Sequence, residues 1–145
     1  MITKEYKKQR MCLFCASDYH LELILLPYIK ERIEKEDFVV LTENNLTNSL
    51  NILLEKTNLS EELKDKIRKI DWKSKEYLKN TKNSSSIVNV IINGNVEFIN
   101  KKNKIVQELK NDNLKVINCF HISDQNVNIE KISQDYEYIL NTNKL

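Results

Sequence analysis

The sequence predicts an α/β domain of three layers, α/β/α, with four to five mostly parallel strands. Three observations carry that expectation. Short continuous apolar runs, of the kind a strand buried on both faces needs, recur along the chain. Between them apolar residues recur at three- and four-residue steps, the period of a helix with one buried face. Polar clusters rich in asparagine, aspartate, serine and threonine punctuate the two patterns.

Met11 to Ala16 is the first apolar run, and Leu21, Ile24, Leu25, Tyr28, Ile29 and Ile33 form the stripe of a following helix. Ser17 or Asp18 can cap that helix. Pro27 interrupts the stripe, at a cost of about 3 kcal/mol inside a helix, and predicts a kink rather than a start near Leu25. Phe38 to Leu41 is the second strand. Leu46, Leu50, Ile52, Leu53 and Leu54 mark the next helix, and Ser60 opens another that bears Leu63, Ile67 and Ile70. Trp72 and Tyr77 are expected to anchor the charged stretch that follows.

Ile87 to Ile92 is the third strand and ends at Asn93-Gly94. Asn-Gly between apolar runs signals a hairpin that would pair 87–92 with 95–99. Val96, Ile99, Val106 and Leu109, however, share one helical face in a segment rich in lysine and glutamate. The strand-to-helix reading is preferred. Leu114 to Phe120 is the fourth strand, a short helix starting within 124–128 carries Ile129 and Ile132, and Tyr138 to Leu140 is the fifth strand. Strands alternating with helices imply a parallel sheet covered on both faces, of flavodoxin-like or Rossmann-like topology. Residues 1–10 are expected to be a basic, unstructured leader to a single domain, 11–145, with 79–86 as a flexible linker within it.

The composition, 41% hydrophobic and 30% charged, is that of a globular domain. The net charge of +2 comes from 23 basic and 21 acidic residues and gives no global argument for nucleic acid or an anionic membrane. Lysines 64, 66, 69, 73, 75, 79 and 82 alternate with Glu61, Glu62, Asp65, Asp71 and Glu76, as on a solvated helix face. No apolar run approaches the roughly 18 residues of a membrane span. Cys12, Cys15 and Cys119 cannot form a closed disulfide framework, so the expected compartment is the cytoplasm.

Ligands of such sheets bind beyond the carboxyl ends of the strands. That places Ser17, Asp18, Tyr19 and His20 after the first strand, and Thr42, Glu43, Asn44 and Asn45 after the second. Asn93 and Gly94 follow the third, and His121, Ser123 and Asp124 the fourth. Gly94 is the only glycine, which excludes both the dinucleotide fingerprint and the P-loop. A receiver-type phosphorylation site would need an aspartate where Asn93 stands. The residue six beyond Cys15 is Leu21, not the arginine of a phosphatase loop.

Cys12 and Cys15 have the spacing of a redox pair, but a strand sends residues three apart to opposite faces. Leu13-Phe14-Cys15, followed by a serine-containing turn and a long helix, resembles over about ten residues the phosphocysteine loop of sugar-phosphotransferase B components. The resemblance implies that Cys15 carries a phosphoryl group. The family's glycine and its serine- and threonine-rich turn are replaced here by Asp18, Tyr19 and His20, and an aspartate repels phosphate.

Asp18, His20, Cys119 and His121 have the ligand chemistry of zinc, and Cys119 and His121 share one face of a strand. The ends of the first and fourth strands are neighbours in only one of the common sheet orders, however, and no metal or cofactor is expected. Asp18, His20, Glu43 and His121 are the groups available for acid–base work. The function expected is non-catalytic binding of a small polar molecule or a partner protein at the strand ends, with a homodimer as one form of partner. The alternative is a small transferase or hydrolase using Asp18, His20 and Cys15.

Overall fold

In the computed structural model, which describes residues 9–74, 86–109 and 113–141, each apolar run is a strand. The strands are β1 (Gln9–Cys15), β2 (Asp37–Thr42), β3 (Val88–Asn93), β4 (Leu114–His121) and β5 (Tyr138–Ile139). The helices are α1 (Asp18–Arg32), α2 (Thr47–Glu55), α3 (Glu61–Arg68), α4 (Val96–Gln107) and α5 (Ile129–Ser133). All strand pairs are parallel and the sheet order is β2-β3-β4-β1-β5. The architecture is the predicted three-layer α/β/α sandwich. In the flavodoxin-like order β1 lies beside β2; in this chain it lies between β4 and β5.

Alternation along each strand sorts the core into two layers. Met11, Leu13 and Cys15 of β1 join Val40, Ile91, Ile117 and Cys119 on one face, under α1, α2 and Ile67 of α3. Cys12 and Phe14 join Leu41, Val90, Ile92, Val116 and Phe120 on the other, under Ile99 and Val106 of α4 and beside Ile132 and Tyr136. Because central strands are buried on both faces, their runs are apolar without alternation. Each fully buried leucine or isoleucine contributes about 1.5–3 kcal/mol.

One expectation is corrected. β1 begins at Gln9, so Gln9 and Arg10 belong to the sheet and not to a leader; Arg10 donates to the Tyr136 hydroxyl at 3.1 Å and lies over its ring. α1 starts at Asp18 and runs through Pro27 to Arg32. Pro27 and Leu23, whose carbonyl loses its helical donor, both lie on the exposed side, where water can replace that donor. The preferred strand-to-helix reading of 87–99 holds: β3 is followed by α4, which Asn95 caps by accepting from the Phe98 N–H.

Gly94 meets a need for space. A Cβ there would stand 2.5 Å from Phe98 Cδ2 and 2.8 Å from Glu43 Oε1. Trp72 anchors its segment as expected, buried with its indole N–H donating to the Ile67 carbonyl. Tyr77, the basic residues at 4, 7 and 8, and the predicted linker apart from Ser86 lie outside the described residues.

At the other sheet edge Asn141 replaces a strand residue. Its amide accepts from the Phe14 N–H at 2.8 Å and donates to the Phe14 carbonyl at 2.7 Å, continuing the short β5 ladder.

Replacing Cys12 by serine should lower stability by about 1–3 kcal/mol, because a hydroxyl would enter a fully buried position in the second layer. Urea denaturation measures it. Gly94→Ala should be destabilising by a similar amount, as Phe98 or the β3–α4 turn shifts to admit the methyl group.

Candidate functional site

The site is fixed by which way the chain leaves each strand. From β1 it turns into α1, whose side chains pack on the first layer. From the adjacent β4 it turns toward α5, whose Ile132, with Val127 and Tyr136 on either side of the helix, packs on the second. Neighbouring strands whose continuations part to opposite faces leave a crevice at their carboxyl ends. Cys15 and His121 are register partners at that point.

Four polar side chains cross the strand ends on the first face. The Cys15 thiol lies 3.5 Å from His121 Nδ1, and His121 Nε2 lies 2.6 Å from Asn93 Oδ1. Asn93 donates from its amide to Thr42 Oγ1 at 3.0 Å, and the Thr42 hydroxyl donates to the Asn44 carbonyl at 2.7 Å. The direction of the last bond orders the others. With its proton committed to Asn44, Thr42 must accept from Asn93. Asn93 therefore turns its oxygen to His121, and His121 Nε2 is the donor. In the neutral ring Nδ1 is then an acceptor facing the thiol.

Cys15 is fully buried, and burial, with the Asp18 charge beside it, pushes its pKa up to about 12. The sulfur stays a neutral thiol. Burial raises Cys12 to about 11 and Cys119 well above the usual thiol range. Neither a phosphoryl carrier nor a redox pair is favoured by such surroundings.

Asp18 enters from the first turn of α1. Its Oδ1 lies 3.7 Å from His121 Nε2, is buried, and has no hydrogen-bond partner. One turn on, Glu22 is 1% exposed; its Oε2 accepts from the Ser49 hydroxyl of α2 at 2.7 Å, while Oε1 has no partner. Burial raises the Glu22 pKa to about 7, opposed by the Ser49 hydrogen bond and reinforced by Asp18. Two carboxyl groups of α1 thus each keep one buried oxygen without a hydrogen-bond partner.

The other rim residues serve the fold. Ser17 caps α1 by accepting from the His20 N–H, and His20 Nδ1 accepts from the Ala16 N–H at 2.9 Å, so its ring is held in its own turn. Tyr19 packs against the first layer. Asn45 accepts from the Thr47 N–H, and Ser123 is exposed. Glu43 accepts from the Asn95 N–H at 2.8 Å and Asp124 from the Val96 N–H at 3.1 Å. Those amides at the start of α4 would be the natural cradle for a phosphate. Here the chain's own carboxylates occupy them.

Of the four residues with zinc-ligand chemistry, Asp18 and His121 meet, while His20 faces Ala16 and Cys119 is buried in the core. Among the described residues no group of three or more histidine, cysteine, aspartate or glutamate side chains is placed to hold a metal ion. Among the described residues no helix is long and apolar enough to cross a membrane. No known protein family, curated protein or solved structure matches the chain.

Glu22 and Ser49 were not among the residues the sequence singled out. The signal was a carboxylate inside the apolar stripe of α1, four residues after Asp18.

A raised carboxyl pKa means that the folded state holds a proton the unfolded chain has released. Stability from this group is therefore full below the ordinary pKa of about 4.5 and falls as pH rises toward 7. Glu22→Gln should be close to neutral at pH 4.5 and stabilising by about 2–3 kcal/mol at pH 8. Paired thermal melts at the two pH values measure the difference.

Proposed function

We propose that the chain is a binding module whose crevice between the carboxyl ends of β1 and β4 takes a small polar ligand rich in hydrogen-bond donors. The observation that carries this is the buried, unpartnered Oδ1 of Asp18 beside His121. A buried acceptor without a donor costs about 1–3 kcal/mol, and a ligand hydroxyl or amino group removes that cost. Phosphate is disfavoured by the same surroundings: the Asp18 carboxyl stands beside His121, and the first amides of α4 are taken by Glu43 and Asp124. The ligand must be held by side chains, since the single glycine of the chain makes room for Phe98.

The 3.7 Å approach of Asp18 to His121 also favours a second reading, a hydrolase or transferase. In it Asp18 would be the acting base. Both His121 nitrogens already have partners in Cys15 and Asn93, so the histidine would hold position and not carry protons. The binding reading needs no such assignment.

Amide chemical shifts of the isotopically labelled protein, titrated with monosaccharides, glycerol, small primary amines and inorganic phosphate, test the proposal. Donor-rich probes should perturb amides at 16–20 and 121–126, and phosphate should not. Asp18→Asn should weaken the response roughly 10- to 100-fold, the worth of a hydrogen bond to a charged group. A response confined to other surfaces, or one indifferent to Asp18→Asn, would overturn it.

A further inference from the structure

Away from the β1–β4 crevice, the chain leaving α3 passes beside α2, and a cavity of about 340 Å³, open to solvent, lies between them. Leu50 of α2 lines it together with the whole stretch from Arg68 to Lys73. Its apolar part is Leu50, Ile70 and Trp72, with Leu50 and Trp72 buried. The wall is held by its own bonds. The Trp72 indole N–H donates to the Ile67 carbonyl at 2.8 Å, and the Trp72 carbonyl accepts from the Leu46 N–H at 2.9 Å. Asp71 Oδ1 accepts from the Lys73 N–H at 3.1 Å. The cavity is therefore formed before a ligand arrives, as most small-molecule sites are.

The charged lining is Arg68, Lys69, Lys73 and Asp71. Along α3 the cations are matched: Lys64 lies 3.5 Å from Glu61, Lys66 lies 3.5 Å from Glu34, and Arg68 lies 2.9 Å from Asp65. Lys69 and Lys73 break that pattern. Among the described residues no carboxylate lies within ion-pair distance of either. With Arg68 answered by Asp65, two ammonium groups stand against one acid, and the lining keeps a single positive charge in excess.

We propose that this cavity binds a small carboxylate with an apolar body. A monoanion answers the one excess charge, and a carboxylate is acceptor-only, with lone pairs for both lysines. The apolar body covers Leu50 and Ile70. A polynucleotide is disfavoured, because Glu61, Glu62 and Asp65 stand on the preceding turns of α3 and break any cationic track. The cavity shares no residue with the β1–β4 crevice, so neither reading depends on the other.

Sodium benzoate is the probe, followed by amide shifts and by the fluorescence of Trp72, the single tryptophan of the chain. Acetate supplies the charge without the ring, benzyl alcohol the ring without the charge, and benzylammonium the ring with the opposite charge. Sodium chloride matches the ionic strength. Benzoate should shift the amides of 47–51 and 68–73 saturably, change the Trp72 emission, and bind more tightly than any of the others. Lys69→Gln combined with Lys73→Gln, at exposed positions where folding is not at risk, should weaken it roughly tenfold. Asp71→Asn, which keeps an acceptor for the Lys73 N–H, should tighten it. Benzyl alcohol or benzylammonium binding as tightly as benzoate, or shifts that sodium chloride reproduces, would overturn the proposal. So would a folded double variant that binds benzoate normally, or silence at 47–51 and 68–73. Inorganic phosphate binding there more tightly than benzoate would overturn the ligand class.

Discussion

The pairing of β1 with β4 governs the carboxyl edge of this sheet. Moving β1 from the side of β2 to the far side of β4 makes Cys15 the register partner of His121, while on the other side of β4 Asn93 pairs with Cys119 and its side chain reaches His121. The two strands then continue to opposite faces, which opens the crevice where those residues stand. The same register forces a chain of hydrogen bonds across four strands, and its direction is set at its end by the Thr42 proton bound to the Asn44 carbonyl. A substitution at Thr42 would thus be felt at His121, two strands away, through the orientation of the Asn93 amide. The histidine is less a free base than the terminus of a fixed ladder.

On that ladder the chain carries an electrostatic cost. Burying a carboxyl group with an unmatched oxygen is unfavourable, and α1 carries two on successive turns. The fold tolerates them because each is managed differently. Asp18 lies in the first turn of α1, where the exposed backbone amides favour negative charge. Glu22 lies deeper, where that help has faded, and burial keeps its proton near neutrality. One helix therefore carries one carboxyl group in its first turn and, a turn further on, a second whose pKa burial raises.

The layers of this fold were legible in the sequence because strands buried on both faces leave uninterrupted apolar runs, and those need no knowledge of neighbours. Strand order was not legible, since MCLFCA would read identically beside β2 or beside β4. The rim was legible as a set of positions but not as a site. Ser17, Asn45 and Asn95 serve helix ends, and Glu43 and Asp124 serve the start of α4, all by local backbone bonds that polar residues at strand ends make anyway. His20 was misleading for a similar reason: four residues from Ala16, it closes its own turn. Asp18 and His121 became a pair only through the β1–β4 register, a contact across more than a hundred residues. Glu22 was hidden in a helical stripe, where a glutamate is ordinarily taken for the edge of the apolar face.

The absence of phosphate-binding devices then changes from a gap into a constraint. An α/β sheet commonly offers anions the amides at the start of a helix beyond its strands. Here α1 is capped by Ser17 and α4 by Asn95, Glu43 and Asp124, so the anion sites at these strand ends are filled by the chain itself. What remains unfilled is of the opposite sign: two acceptor oxygens, one carried by a group that can shed a proton. Strand ends whose helix-start amides are already taken, with an acceptor oxygen left open, gain more from a partner that brings donors than from an anion. The polarity of the site follows from which backbone amides the chain has already used.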